Sequence, residues 1–137
     1  MSEGRSLRPV VPGQIHDGFL PGRHGIDAYG NGGFRFGQMS HRGSILMLPS
    51  GVRAWDVDAP AGIDGPSLAP VLTEAEAIEL LLIGTGADIV FLPDALRQRL
   101  KAAGIGLDVM QTGAAARTYN ILMGENRKVA AALIAVA

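Results

Sequence analysis

The chain has 137 residues, 47% of them hydrophobic and 18% charged, with a formal net charge of -1 and no cysteine. This suits one domain with a real core, and it excludes wholesale disorder. Disulfides, thiolate metal sites and cysteine nucleophiles are excluded too, and the apolar runs are far shorter than the roughly 20 residues that span a bilayer.

Residues 1–25 carry Pro9, Pro12, Gly13, Gly18, Pro21, Gly22 and Gly25 with little periodicity. They are expected to be an irregular arm in which Val10, Val11 and Ile15 supply at most a short edge strand, ahead of a single α/β domain over 26–137. The opening Met1-Ser2-Glu3-Gly4-Arg5 has no apolar signal core, so the default expectation is a cytoplasmic protein.

From the turn cluster Tyr29-Gly30-Asn31-Gly32-Gly33 onward, Phe34-Arg35-Phe36, Gln38–Arg42, Ser44–Leu48 and the alternating Val52–Val57 read as an antiparallel β meander. After the Pro/Gly loop 58–66, Ser67, in preference to the capping box Thr73-Glu74-Ala75-Glu76, is expected to cap a short helix that holds Pro70 in its first turn and carries Leu68, Val71, Leu72 and Ala75 at 3, 4 and 7 spacing. The run Ile78–Ile83 reads as a buried strand. Pro93 and Asp94 at its start, bases near its end and Gly104 beyond it mark 93–103 as a helix with Leu92, Leu96, Leu100 and Ala103 inward. Leu107–Met110 reads as a strand, Thr112–Met123 as a helix stopped by Gly124, and Val129–Val136 as a closing strand. The second half is therefore α-β-α-β-α-β, and the whole is a three-layer α/β domain around a mixed sheet.

Two junctions stand out: Leu82-Ile83-Gly84-Thr85-Gly86, and Met110-Gln111-Thr112 running on through Arg117, Thr118 and Asn120. If their strands are parallel neighbours, Thr85 and Thr112 share the sheet edge where ligands of open α/β sheets collect, with Thr112 capping the helix and Arg117 adding charge. Gly84-Thr85-Gly86 lacks the P-loop lysine, and Ile89 stands where a third dinucleotide-loop glycine belongs. Arg117 and Thr118 have a structural reading as well, as partners of Asp88, Asp108, Glu125 or loop carbonyls.

The three histidines, His16, His24 and His41, have no ligand spacing, so neither a metal nor a cofactor is expected. No G-x-S-x-G nucleophile occurs, and no catalytic residue is assigned. Trp55, the one tryptophan, is either core or a partner anchor. Charge is segregated: residues 56–96 hold eight acids and no base, while 97–137 hold six bases against two acids. Without a basic patch interleaved with aromatics, nucleic acid is not an expected partner.

The ordered series Gly32-Gly33-Phe34, Gly43-Ser44-Ile45-Leu46-Met47-Leu48-Pro49, Trp55, Leu82–Gly86 and Met110-x-Thr112-x-x-Ala115-x-Arg117-Thr118-Tyr119-Asn120 resembles a small α/β family. That family includes mitochondrial complex I assembly factor 3 and adipogenesis-associated proteins. The resemblance implies a compact three-layer fold around a mixed sheet and a non-enzymatic, assembly-type role with protein partners, among them subunits of a membrane complex. Contact is then expected at Gly84, Thr85, Gly86, Thr112, Arg117, Thr118 and Asn120, or at Trp55. The rival expectation is a site for an anionic metabolite at Thr85, Thr112 and Arg117.

Overall fold

The structure, a computed structural model, describes residues 18–137. Val10, Val11 and Ile15 lie outside the described residues, but within the stretch expected to be an irregular arm Phe19–Pro21 forms a strand, β1.

The apolar runs assemble as a mixed six-stranded sheet. β5 (Ser44–Met47) and β6 (Gly51–Trp55) make an antiparallel hairpin in which Ile45 faces Ala54 and Leu46 faces Arg53, and β1 adds to the outer edge of β6. β9 (Val129–Leu133) lies antiparallel to β5 and parallel to β7 (Leu80–Gly84), and β8 (Gly106–Met110) lies parallel to β7 on its far side. The order is β1-β6-β5-β9-β7-β8, so the last strand of the chain joins the antiparallel half to the parallel half.

The meander is divided between two sheets. β2 (Ala28–Gly30), β3 (Gly33–Phe36) and β4 (Met39–Arg42) form a separate antiparallel sheet, and the break falls at Gly43, whose φ of 104° turns the chain out of line before β5.

Period-two alternation builds two cores, one on each face of the large sheet. Leu46, Leu81, Ile83, Ala130 and Ala132 pack toward α1 (Ala69–Thr73) and α2 (Asp94–Ala102), meeting Leu68, Val71, Leu96 and Leu100. Ile45, Met47, Leu82, Val129, Ala131 and Leu133 pack toward α3 (Thr112–Gly124) and the small sheet, meeting Ala115, Ala116, Tyr119, Phe34 and Phe36. This is a three-layer arrangement, and each buried leucine-sized side chain contributes about 1.5–3 kcal/mol.

Helix ends differ from the sequence expectation in three places. Ser67 does not cap α1: it closes a reciprocal turn with Asp64, its N–H donating to Asp64 Oδ1 at 2.8 Å while its Oγ accepts from the Asp64 N–H at 2.9 Å. Gly124 does not stop α3, because it is still helical. The left-handed residue is Asn126, at φ 63°, and the Arg127 and Asn126 amides donate back to Leu122 and Met123 carbonyls. Nor does Thr112 cap α3; Gln111 holds that position, with no side-chain cap bond.

Candidate functional site

The parallel pairing of β7 with β8 places Thr85 and Thr112 side by side at the carboxyl end of both strands. Backbone bonds stitch the two chain segments together there, Thr85 N–H to the Met110 carbonyl at 3.0 Å and Thr112 N–H to the Gly86 carbonyl at 2.9 Å. Gly84 is required because α3 begins against it. A Cβ at Gly84 would stand 2.8 Å from Thr112 Cα and 3.0 Å from a Leu133 methyl, so the Gly-Thr-Gly sequence serves close packing of strand against helix.

Both hydroxyls are committed to the protein. Thr112 Oγ1, fully buried, donates to the Ile134 carbonyl at 2.7 Å and accepts from the Gly86 N–H at 3.0 Å. It thus ties the ends of β7, β8 and β9. Thr85 Oγ1, also buried, donates to the Asp88 carbonyl at 2.6 Å and accepts from the Val90 N–H at 3.1 Å. Its effect is to fold the 86–92 segment back over the strand end.

The other expected site residues do not converge on this seam with a free polar group. Asn120 clamps the backbone of Ile26, accepting from its N–H at 2.8 Å and donating to its carbonyl at 2.7 Å. Thr118 Oγ1 points at Met110 Sδ, 3.7 Å away. Trp55 is only 7% exposed and donates its indole N–H to the Ser67 carbonyl at 2.8 Å, which is a core placement. Arg117 is exposed on the outer face of α3, with no ion pair among the described residues to Asp88, Asp108 or Glu125. Two concavities, of about 270 and 440 Å³, are lined by residues of the small sheet and of the α1–α2 region, and neither includes Thr85, Thr112 or Arg117.

What the seam holds up is apolar. The segment anchored by Thr85 exposes Ile89 (53%), Val90 (40%) and Phe91 (87%), while its neighbour Leu92 turns into the core. A phenylalanine in solvent directly after two other exposed hydrophobes is an unusual surface for a small domain. Sequence reasoning named Ile89 only as a departure from a dinucleotide loop and passed over Val90 and Phe91. The available signal was a four-residue apolar run closed in by Asp88 and Pro93, too short for a helix and following a strand already complete.

Among the described residues two titratable groups are perturbed. Burial lowers the His41 pKa below its ordinary value, and His41 Nδ1 is buried without a hydrogen-bond partner. Burial raises that of Tyr119, with the nearby Arg23 guanidinium opposing the shift; Arg23 also donates to the Val129 carbonyl at 3.1 Å, so this is a structural node between α3 and β9. Among the described residues no group of three or more His, Asp or Glu could hold a metal ion, and no helix is long and apolar enough to cross a membrane.

The family model of a protein of unknown function (DUF498/DUF598) matches residues 26–134. An uncharacterised protein from Rhodobacter capsulatus is 41% identical over 93% of this chain and 93% of its own. NADH dehydrogenase [ubiquinone] 1 alpha subcomplex assembly factor 3 from Danio rerio is 34% identical over 80% of this chain. The match spans only 63% of that assembly factor's length. Among solved structures, that of an outer membrane protein from Bartonella henselae superposes with a TM-score of 0.82 at 52% identity, covering 85% of this chain and 98% of that one.

Proposed function

The chain belongs to the DUF498/DUF598 family, and from that membership we propose that it is a non-enzymatic interaction protein of the assembly-factor type, acting in the cytoplasm. In this reading it engages a subunit of a membrane-bound respiratory complex, and the contact is made by Ile89, Val90 and Phe91. The single observation that carries the reading is Phe91, 87% exposed on a loop that Thr85 pins at both Asp88 and Val90. A pinned loop presents an aromatic anchor with little ordering entropy left to lose on binding. The relationship to assembly factor 3 supplies the class of partner, although the rest of that longer protein has no counterpart in the match.

Gly84, Thr85, Gly86 and Thr112 serve this role indirectly, as the frame of the loop, while Arg117 and Ile121 lie on the exposed side of α3 one turn apart. The rival reading, an anionic metabolite held by Thr85, Thr112 and Arg117, has less support because both hydroxyls already have protein partners.

Affinity capture from detergent-solubilised membranes tests the proposal. Wild-type protein should retain respiratory-complex subunits, and Phe91→Ser should retain at least about tenfold less, since burying a phenylalanine contributes about 1.5–3 kcal/mol. Equal retention by both proteins, or no such subunit on either, would count against it.

A further inference from the structure

The outward face of the small sheet holds a second, independent feature. Strand register puts Ala28, Arg35 and Ser40 in one cross-strand row and Gly30, Gly33 and Arg42 in the next, all on the same face. Arg35 and Arg42 are therefore diagonal neighbours, with Cβ atoms about 7–8 Å apart, and two glycines lie beside them. The result is a concavity of about 270 Å³, along which the backbone row of Tyr29, Phe34 and His41 also runs while its side chains belong to the opposite face.

The floor is bare for a steric reason. A Cβ at Gly33 would strike the His41 carbonyl oxygen, while one at Gly30 would meet nothing within 4 Å, so the open space lies beside Gly30. Arg42 reaches toward the adjoining turn, since a Cβ at Gly32 would lie 3.6 Å from Arg42 Nη1.

Three of the other arginines are engaged, whereas Arg97, Arg99 and Arg117 have no side-chain partner among the described residues either, so what sets Arg35 and Arg42 apart is the sheet face they share. Arg23 donates to the Val129 carbonyl, Arg53 stacks on the Phe19 ring at 4.9 Å and Arg127 pairs with Glu79 at 3.8 Å. Among the described residues Arg35 and Arg42 have no acid within salt-bridge distance and no side-chain hydrogen bond. Two guanidiniums on one face, over a floor without side chains and beside the Ser40 hydroxyl, form a cradle for tetrahedral or planar oxygens. Guanidinium forks bind phosphoryl groups in two-pronged fashion.

We propose that this groove binds a phosphoryl-type oxyanion, with Arg35 and Arg42 as the two clamps and Ser40 as a neutral donor. A free phosphorylated metabolite and a phosphate-bearing lipid headgroup share that chemistry. The site is separate from the Phe91 loop and does not depend on the protein-interaction reading.

The test is an NMR titration of the full chain with inorganic pyrophosphate and, in a second arm, with phosphatidylcholine vesicles made with or without phosphatidic acid. Pyrophosphate is expected to shift the Arg35 and Arg42 side-chain Nε–H signals, with affinity about tenfold weaker in Arg35→Gln and in Arg42→Gln. Arg97→Gln, at an exposed position of α2, should bind as wild type. A response to phosphatidate vesicles alone, lost in the same two variants, supports the site and identifies a headgroup as its ligand. No response to either probe, or shifts that persist in an Arg35→Gln/Arg42→Gln double variant with native amide dispersion, overturns it.

Discussion

At the ends of β7 and β8 two threonines are sealed from water, and a few residues further along the same chain a phenylalanine stands in it. The seam consists of polar groups that resemble a binding site and are spent on the fold: Thr112 holds three strands together and Thr85 holds a loop. The loop consists of apolar groups that resemble core and stand largely exposed. Hydroxyl and glycine residues at a sheet edge therefore say where the backbone must be tied. What the tying presents is decided by the residues around them.

The comparison breaks most sharply at Thr112. Thr112→Val keeps the shape but strands the buried Gly86 N–H and Ile134 carbonyl, and should cost about 2–5 kcal/mol in chemical denaturation. Gly84→Ala comes next, at about 1–3 kcal/mol, because the added methyl enters the space of Thr112 Cα and Leu133. Either change should also loosen the loop, seen as faster amide exchange at Val90.

A smaller effect concerns His41. Burial holds its folded-state pKa below the unfolded value near 6.5, so the unfolded chain binds the extra proton first. Its contribution to stability is complete above about pH 6.5 and is lost as pH falls through the lower folded-state value. His41→Gln should flatten that part of the stability profile, which denaturation midpoints at several pH values below 6.5 will read. Phe91→Ser should change stability least, within about 0.5 kcal/mol, since the side chain is largely exposed. A large loss in that variant would mean the loop packs against the domain after all.

Much of the architecture was legible because it depends on neighbours in sequence. The odd and even positions of 81–83 and 45–48 separate cleanly between the two cores, and the opening and closing residues of α2 state its limits. The site was less legible because its decisive contacts are distant. Thr112 is a good cap by type, yet its oxygen bonds the Ile134 carbonyl 22 residues away, and Asn120 reaches the Ile26 backbone across 94. A residue's capacity for hydrogen bonding is visible in sequence, whereas its partner is set by tertiary packing. The apolar loop was hidden for the opposite reason, since hydrophobicity alone does not distinguish a core residue such as Leu92 from its solvent-facing neighbour Phe91.

Because the chain has no cysteine, Phe91→Cys and Arg117→Cys each carry a single thiol, which makes a direct comparison possible. The rate of thiol alkylation should be fast in both proteins alone, and solubilised respiratory-complex subunits should protect Cys at 91 while leaving Cys at 117 reactive. Protection at 117 with none at 91 would contradict the account.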